Sequence, residues 1–325
     1  MLEGKKVLIT GGAGFIGSNL CEKFVSQNNE VICLDNFLTG RRENIKSLLN
    51  KENFTLVEGD IRDFETCKKA VVGVDVVLHQ AALGSVPRSI NDPVTTNSIN
   101  VSGFLNMLKA SDEEGVKRFV YAASSSTYGD SPALPKVEDK IGKPLSPYAV
   151  TKLVNELYAN VFSSLYSIET IGLRYFNVFG RKQDPDGAYA AAIPKFVKAF
   201  IDHKSPLIHG DGKQSRDFTY INNVVQANEL AATTVNLKAV NQVYNVAYGE
   251  NTTLNELVPL LRDLLSKFDA KIGNVRIEHG DDRVGDIKHS LASIDKASNL
   301  LGYKPSHSLQ QGLSEAISWY WNDLK

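Results

Sequence analysis

Tyr148 and Lys152 lie four residues apart in the segment Ser146-Pro147-Tyr148-Ala149-Val150-Thr151-Lys152, a spacing that puts a phenol and an ammonium on one face of a helix. Ser146 can cap that helix and Pro147 suits its first position, so the pair falls in the opening turn. A phenol with a pKa near ~10 is a poor base at neutral pH, but a neighbouring ammonium and a helix N-terminus both favour the phenolate. Such a phenolate can take the proton of a substrate hydroxyl. Of the twelve tyrosines, Tyr148 alone has a lysine four residues on. Upstream, Ser124-Ser125-Ser126-Thr127-Tyr128-Gly129 gathers hydroxyls that can bridge the phenol to a substrate hydroxyl.

A second constellation starts at Gly11-Gly12-Ala13-Gly14-Phe15-Ile16-Gly17. Glycines in a strand-to-helix turn let the backbone approach a pyrophosphate, and the helix N-terminus meets it with unpaired N–H groups and a positive dipole end. The next strand, VICLD, ends in Asp35-Asn36. A carboxylate there accepts hydrogen bonds from ribose hydroxyls and repels a 2′-phosphate, which favours NAD over NADP. Gly59-Asp60-Ile61 and Gln80-Ala81-Ala82 fall at later strand ends, where an open α/β sheet binds its ligand. With the nicotinamide charge added to Lys152, the Tyr148 phenol would be acidic enough to lose a proton as hydride leaves the same substrate carbon.

Positioning these groups requires a sheet. Lys6 to Thr10, Glu30 to Leu34, Phe54 to Glu58, Val74 to His79 and Arg118 to Ala122 read as five strands separated by helical periods, with Glu169 to Arg174 as a sixth and Val243 to Ala247 returning to the same sheet. The expected fold is α/β, a doubly wound parallel sheet of Rossmann type, over residues 1–180 with a return segment near 220–250. A smaller C-terminal substrate-binding lobe is expected over residues 181–325, including a helix from Leu254 to Phe268. The helix carrying Trp319-Tyr320-Trp321 reads as core or interface.

Composition bounds the function. Thirty-six Lys plus Arg against thirty-seven Asp plus Glu give a net charge of -1, so no global field draws the chain to nucleic acid or anionic lipid. Cys21, Cys33 and Cys67 show no CxxC spacing, and the six histidines show no HxH or HxxxH pattern, so neither a disulfide framework nor a metal site is expected. The start, MLEGKKVLIT, enters a strand without a signal-like apolar stretch, and no later run reaches the ~18 apolar residues of a membrane span. The expected location is the cytoplasm.

Across essentially its whole length the chain resembles the extended short-chain dehydrogenase/reductase family, and more closely its nucleotide-sugar 4-epimerases. The glycine motif matches Gly11, Gly14 and Gly17, and the Ser/Tyr/Lys set matches Ser124, Tyr148 and Lys152. Nucleotide-binding segments match Arg174-Tyr175-Phe176-Asn177, Arg216-Asp217 and Arg283-Val284-Gly285-Asp286. HQAALGSVPRSINDP, the triple serine and DPDGAYAAAIPKF are most similar to bacterial UDP-N-acetylglucosamine 4-epimerases of polysaccharide biosynthesis. The resemblance implies reversible C4 epimerisation of UDP-N-acetylglucosamine, with plain UDP-hexoses as further substrates, through a 4-keto sugar and bound NAD. Asn100 would then lie near the nicotinamide, Arg216 with Arg283 at the diphosphate, Asn177 at the diphosphate or the sugar, and Asp286 at the uridine ribose. Ser290 matches a position where epimerases restricted to unacetylated sugars carry Tyr; a small residue leaves room for an acetamido group, and Gly84 and Ser85 would line the same corner, while Ser125 and Ser126 would bind the sugar. Where related dehydratases carry an Asp-Glu pair, this chain has Ser125-Ser126, which disfavours elimination of water. A homodimer is implied, through the helices Val101 to Glu114 and Pro147 to Tyr166.

Two other readings stand beside this one. A UDP-glucuronate epimerase or decarboxylase needs a cation for the C6 carboxylate, and Arg88 is the nearest candidate. A non-catalytic NAD-sensing module keeps the glycine turn without the chemistry, but an intact Tyr148 and Lys152 argue against it.

Overall fold

Six strands, β1 (Lys6–Thr10), β2 (Glu30–Asp35), β3 (Phe54–Glu58), β4 (Val76–His79), β5 (Arg118–Ser124) and β6 (Glu169–Tyr175), join Gln242–Val246 in one parallel sheet. Its order is β3-β2-β1-β4-β5-β6 with Gln242–Val246 at the far edge, the predicted doubly wound topology. The computed structural model describes residues 1–184, 192–281 and 288–325.

The inner strands β1, β4, β5 and β6 are largely apolar and buried along almost their whole length because both faces are covered, whereas β3, at the sheet edge, leaves Thr55 and Glu58 exposed. Val7, Ile9, Val31, Cys33, Val76 and Leu78 face one core. Leu8, Ile32, Leu34, Val77, Phe119 and Tyr121 face the other. The first face is covered by α1 (Phe15–Ser26) and α8 (Ile221–Thr233), the second by α2 (Phe64–Ala70), α5 (Phe104–Glu113) and α6 (Pro147–Leu165). In register, Thr10 lies beside Leu34 and His79, and Ser124 beside Tyr175. The turns after β1, β2, β4 and β5 therefore open along one edge, and the order reverses between β1 and β4.

Two expectations shift. β4 begins two residues late, because the Val74 N–H closes a turn on the Val71 carbonyl at 3.1 Å. The segment expected as one helix from Val101 enters through α3 (Val86–Asn91), α4 (Pro93–Asn97) and a wide turn, Ser98–Gly103, with i→i+5 hydrogen bonding, before α5. α5 spends Phe104, Met107 and Leu108 on the core, so exposed apolar residues beside α6 come from α3 and α4 instead: Val86, Ile90 and Val94 accompany Val150, Leu157, Val161 and Leu165.

Later residues form α7 (Ala192–Ile201), α9 (Leu254–Ser266), α10 (Asp295–Leu301) and α11 (Leu309–Leu324). Thr253 and Glu256 close a reciprocal cap at the start of α9. The first core runs without a break from β1 into Leu257, Leu261, Leu313 and Tyr320, so this lobe shares its apolar interior with the sheet. Trp321 stacks on Phe268 at 5.4 Å. Among the described residues no helix is long and apolar enough to cross a membrane and no three His, Cys, Asp or Glu residues cluster as metal ligands. The three cysteines are buried free thiols.

Candidate active site

The turn after β1 is built for close approach. Gly11 adopts φ +65°, and a Cβ there would stand 2.8 Å from the Ala81 backbone. A Cβ at Gly17 would stand 2.1 Å from the Gly11 carbonyl oxygen, so the first turn of α1 touches the loop. These glycines floor a cleft of about 460 Å³ at the strand C-terminal edge. Gly14, Phe15, Ile16, Asp35, Asn36, Asp60, Ile61, Gln80, Ala81, Ala82 and Gly84 line it as well. Every dinucleotide-contacting residue expected from the loops after β1 to β4 is thus present in one hollow.

Asp35 is buried at the end of β2, where it accepts the Ala13 N–H at 2.9 Å and the Phe37 N–H at 2.8 Å. Burial pushes its carboxyl up and those N–H groups partly offset the rise. Each oxygen keeps a lone pair for a ribose hydroxyl. Asn36 donates to Asp60 at 2.8 Å, and Arg62 holds Asp60 well below the usual carboxylate range, at about 2. Gln80 is oriented by Asn228 at 3.2 Å and Tyr175 at 3.1 Å. A glycine floor without room for side chains, a helix N-terminus and a buried carboxylate on a neighbouring strand fit NAD.

The acid–base group stands on α6. The Ser146 hydroxyl accepts the Ala149 N–H at 3.2 Å, the predicted cap, with Pro147 in the first position. Ser124 ends β5, and its Oγ accepts from the Ser126 N–H at 3.1 Å and the Ser126 hydroxyl at 2.9 Å. With both lone pairs engaged, its own proton is left to donate to Tyr148, and this hydrogen bond lowers the phenol. Burial raises it by more, so the protein's own groups leave Tyr148 above the ordinary phenol value rather than below it. The expected acidification by Lys152 is absent because its ammonium is turned to the Ala122 carbonyl, 2.7 Å away. Burial pulls Lys152 down to about 8, with Glu156 acting against the fall.

Asn100, in the wide turn before α5, locks this region. Its side chain accepts the Leu83 N–H at 2.7 Å and donates to the Thr151 hydroxyl at 3.2 Å, and Thr151 donates to the Tyr148 carbonyl at 2.8 Å. It is buried, and it ties the loop after β4 to the helix that carries the phenol.

Two further hollows adjoin. One of about 160 Å³ is lined by Ser124, Ser125, Ser126, Lys136, Phe176, Asn177, Arg216 and Ser290, with Tyr128 and Gly129. The other, about 380 Å³, shares Asn177 and Arg216 with it and Gln183 with the dinucleotide cleft. Ser290 is held beside Arg216 because its N–H donates to the Ser215 carbonyl at 3.1 Å while the Ser215 N–H donates to Lys288 at 2.9 Å. Gly84 lies in the dinucleotide cleft and not on the wall shared with Ser290, and the Ser85 hydroxyl caps α3 by accepting the Arg88 N–H at 3.1 Å. Arg88 lines the dinucleotide cleft, away from the small hollow. Arg283 and Asp286 fall outside the described residues.

Arg174, in the segment matched as nucleotide-binding, faces inward. It grips Glu156 through two hydrogen bonds of 2.9 and 2.7 Å and donates to the Glu138 carbonyl at 2.9 Å. Asp217 is also structural: it accepts from the Tyr248, Gly249 and Ala292 N–H groups, and burial pushes it up to about 7. Sequence reasoning missed Lys136, Gln183 and Lys195 as lining residues. Gln183 carried a signal in the Gly-, Pro- and Asp-rich run around it, and Lys195 lies in the matched segment DPDGAYAAAIPKF, whereas Lys136 carried none.

Comparison with known proteins agrees with this geometry. The profile of the NAD dependent epimerase/dehydratase family matches residues 7–247. The chain is 37% identical over 319 residues to a putative UDP-glucose 4-epimerase of Methanocaldococcus jannaschii, covering 98% of this chain and 99% of that one. It superposes with a TM-score of 0.92 and 37% identity on a UDP-N-acetylglucosamine 4-epimerase of Methanobrevibacter ruminantium solved with UDP-N-acetylmuramic acid, covering 99% and 100% of the two chains. A UDP-glucose 4-epimerase of Thermus thermophilus in complex with NAD gives 0.85 at 31% identity, with 97% and 98% covered.

Proposed function

The chain belongs to the NAD dependent epimerase/dehydratase family and is an NAD-dependent nucleotide-sugar 4-epimerase, and from that premise we propose that it interconverts UDP-N-acetylglucosamine and UDP-N-acetylgalactosamine. The observation that carries the substrate assignment is Ser290. It sits on the wall of the hollow that also holds the triple serine, Asn177 and Arg216, where a hydroxymethyl side chain leaves room for an acetamido group. The structural relative from Methanobrevibacter ruminantium, named for the N-acetylated sugar, supports this reading. The putative Methanocaldococcus jannaschii epimerase is named for UDP-glucose, a plain sugar that the same hollow would also accept.

NAD, when bound, supplies reversible hydride transfer at the sugar C4. Gly11, Gly14, Phe15, Ile16 and Gly17 would hold its diphosphate, Asp35 and Asn36 its adenosine ribose, and Asp60, Ile61, Gln80, Ala81 and Ala82 the remainder of the cleft wall. The Tyr148 phenolate, to which Ser124 donates, takes the O4 proton and becomes the neutral phenol. Lys152, which donates to the Ala122 carbonyl, would hold the nicotinamide ribose when NAD is bound, and its ammonium would favour the phenolate. The 4-keto sugar then turns about its bond to the diphosphate, so the chain must grip the nucleotide and leave the hexose loose. Asn177 and Arg216, with Arg283, would do the gripping, Arg216 by bidentate contact with phosphate. The larger hollow beside α7 takes the uridine, and the lobe from residue 181 onward serves chiefly this end of the substrate. The exposed apolar row on α6, with Val86, Ile90 and Val94, supports a homodimer.

The test is nuclear magnetic resonance of UDP-N-acetylglucosamine and UDP-glucose incubated with purified protein and no added cofactor, repeated with Ser290→Tyr. Conversion of both sugars by the wild type and of UDP-glucose alone by the variant supports the reading. Unchanged turnover of the N-acetylated sugar by Ser290→Tyr removes its basis.

A further inference from the structure

Among the described residues, Lys136 is the buried cation without a balancing carboxylate. Arg174 meets Glu156, Arg118 meets Glu169, Lys182 meets Glu22, and Lys152 feels Glu156. Lys136 is 7% exposed, and its ammonium donates to a single neutral partner, the Ser131 carbonyl. Among the described residues no carboxylate pairs with it, and burial without a counter-charge pulls its pKa down. An ammonium has three N–H donors, so two remain to be used. Burying such a group without compensation is costly unless a ligand supplies the missing oxygen acceptors.

Its place identifies the ligand's end. Lys136 lines the small hollow with Ser124, Asn177, Arg216 and Ser290. Its backbone N–H donates to Leu291 at 2.7 Å and its carbonyl accepts the Ser293 N–H at 2.9 Å, so it is pinned next to Ser290. Across the same short segment, Ser215 pairs with residues 288 and 290 and carries Arg216. A hexose substituent beside Ser290 therefore meets Lys136 as well as Arg216 on the wall of that hollow. We propose that Lys136 is a specificity-determining residue that donates to a carbonyl-type oxygen on the hexose, selecting sugars with an acylamino or carboxylate substituent over plain hexoses. This rests on the assignment of the small hollow to the hexose. The ammonium also supplies, within that hollow, the cation for a carboxylate that Arg88 was expected to provide.

Binding distinguishes the sources without requiring turnover. Calorimetry of the wild type and Lys136→Met with UDP, UDP-glucose, UDP-N-acetylglucosamine and the corresponding N-acetylated uronate reads the discrimination directly. UDP and UDP-glucose should bind both proteins within about twofold, while Lys136→Met should lose about 10- to 100-fold on one or both carbonyl-bearing sugars, the size expected for a charge-assisted hydrogen bond. Loss on the N-acetylated hexose assigns the acetamido oxygen; loss on the uronate alone assigns the carboxylate. Equal weakening for every ligand including UDP, or no change for any, overturns the proposal. Should Lys136→Met fail to fold, Lys136→Arg must keep the discrimination and Lys136→Gln must lose it. If the wild type binds and discriminates these sugars but does not epimerise them, the functional reading fails and this one stands.

Discussion

Replacing Gly17 by alanine tests whether the phosphate turn is as tight as it is drawn. The added methyl would stand 2.1 Å from the Gly11 carbonyl oxygen and 2.8 Å from Gly12 Cα. Opening the first contact even to 3.0 Å, a separation that real Cβ atoms do not undercut, requires 0.9 Å of movement. Neither side can yield cheaply. Leu20, Cys21 and Phe24 hold α1 on the sheet at 0% exposure, and Gly11 already abuts Ala81 behind it. Overpacking of this kind costs about 1–3 kcal/mol, which lowers the melting temperature by roughly 2–4 °C for each kcal/mol in a chain of this order of size. The N–H groups at the start of α1 move by the same distance away from the diphosphate, so NAD affinity should fall roughly 10- to 100-fold. Two glycines in the same cleft grade the effect. A methyl at Gly14 would lie 3.1 Å from the Gly11 oxygen, and one at Gly84 would meet nothing within 4 Å. Thermal melting of the three alanine variants should rank Gly17 worst, Gly14 intermediate and Gly84 unchanged, and calorimetric NAD titration should rank Gly17 below Gly14. A Gly17→Ala protein that binds NAD and melts like the wild type, or a Gly84→Ala protein that melts as low as Gly17→Ala, would refute the reasoning.

Tyr148→Phe should lower kcat about 10²- to 10⁴-fold through loss of the proton acceptor while NAD binding stays within about twofold; an active variant would remove the phenol from the chemistry. Glu156→Ala leaves Arg174 charged and buried, with 4% of its side chain exposed, and should cost about 3–5 kcal/mol, visible as a drop in melting temperature and missing if the pair is replaced by the double variant with Arg174→Met. Asp217 is raised by burial to about 7 from 3.8, so the folded state holds a proton that the unfolded state has released between those values. The wild type should therefore lose stability relative to Asp217→Asn as pH climbs from about 4 to about 7, by up to about 4 kcal/mol, and no further above that. Urea unfolding of both proteins at several pH values measures the gap, and a gap independent of pH would show that Asp217 stays ionised.

Local rules made the Rossmann half of this protein legible. β1, β2, β4, β5 and β6 are largely apolar, buried runs, the glycines of the first turn are demanded by backbone contact, and Ser146 and Pro147 start α6 by caps that need no distant partner. The same rules placed Tyr148 and Lys152 on one helical face, since that spacing is a property of the helix itself. What they did not reach is where those groups point. Lys152 faces the Ala122 carbonyl, and the Tyr148 phenol is raised rather than lowered, because burial and hydrogen bonding depend on which strand lies beneath the helix. Arg174 and Arg216 look alike in sequence, yet one is consumed by Glu156 in the interior and the other lines two hollows. Lys136 carried no pattern at all. Its role arises only when the chain brings residues 288–293 between it and Ser215, leaving an ammonium buried and unpaired; a charge is defined locally, but the balance around it is set by residues from everywhere in the fold.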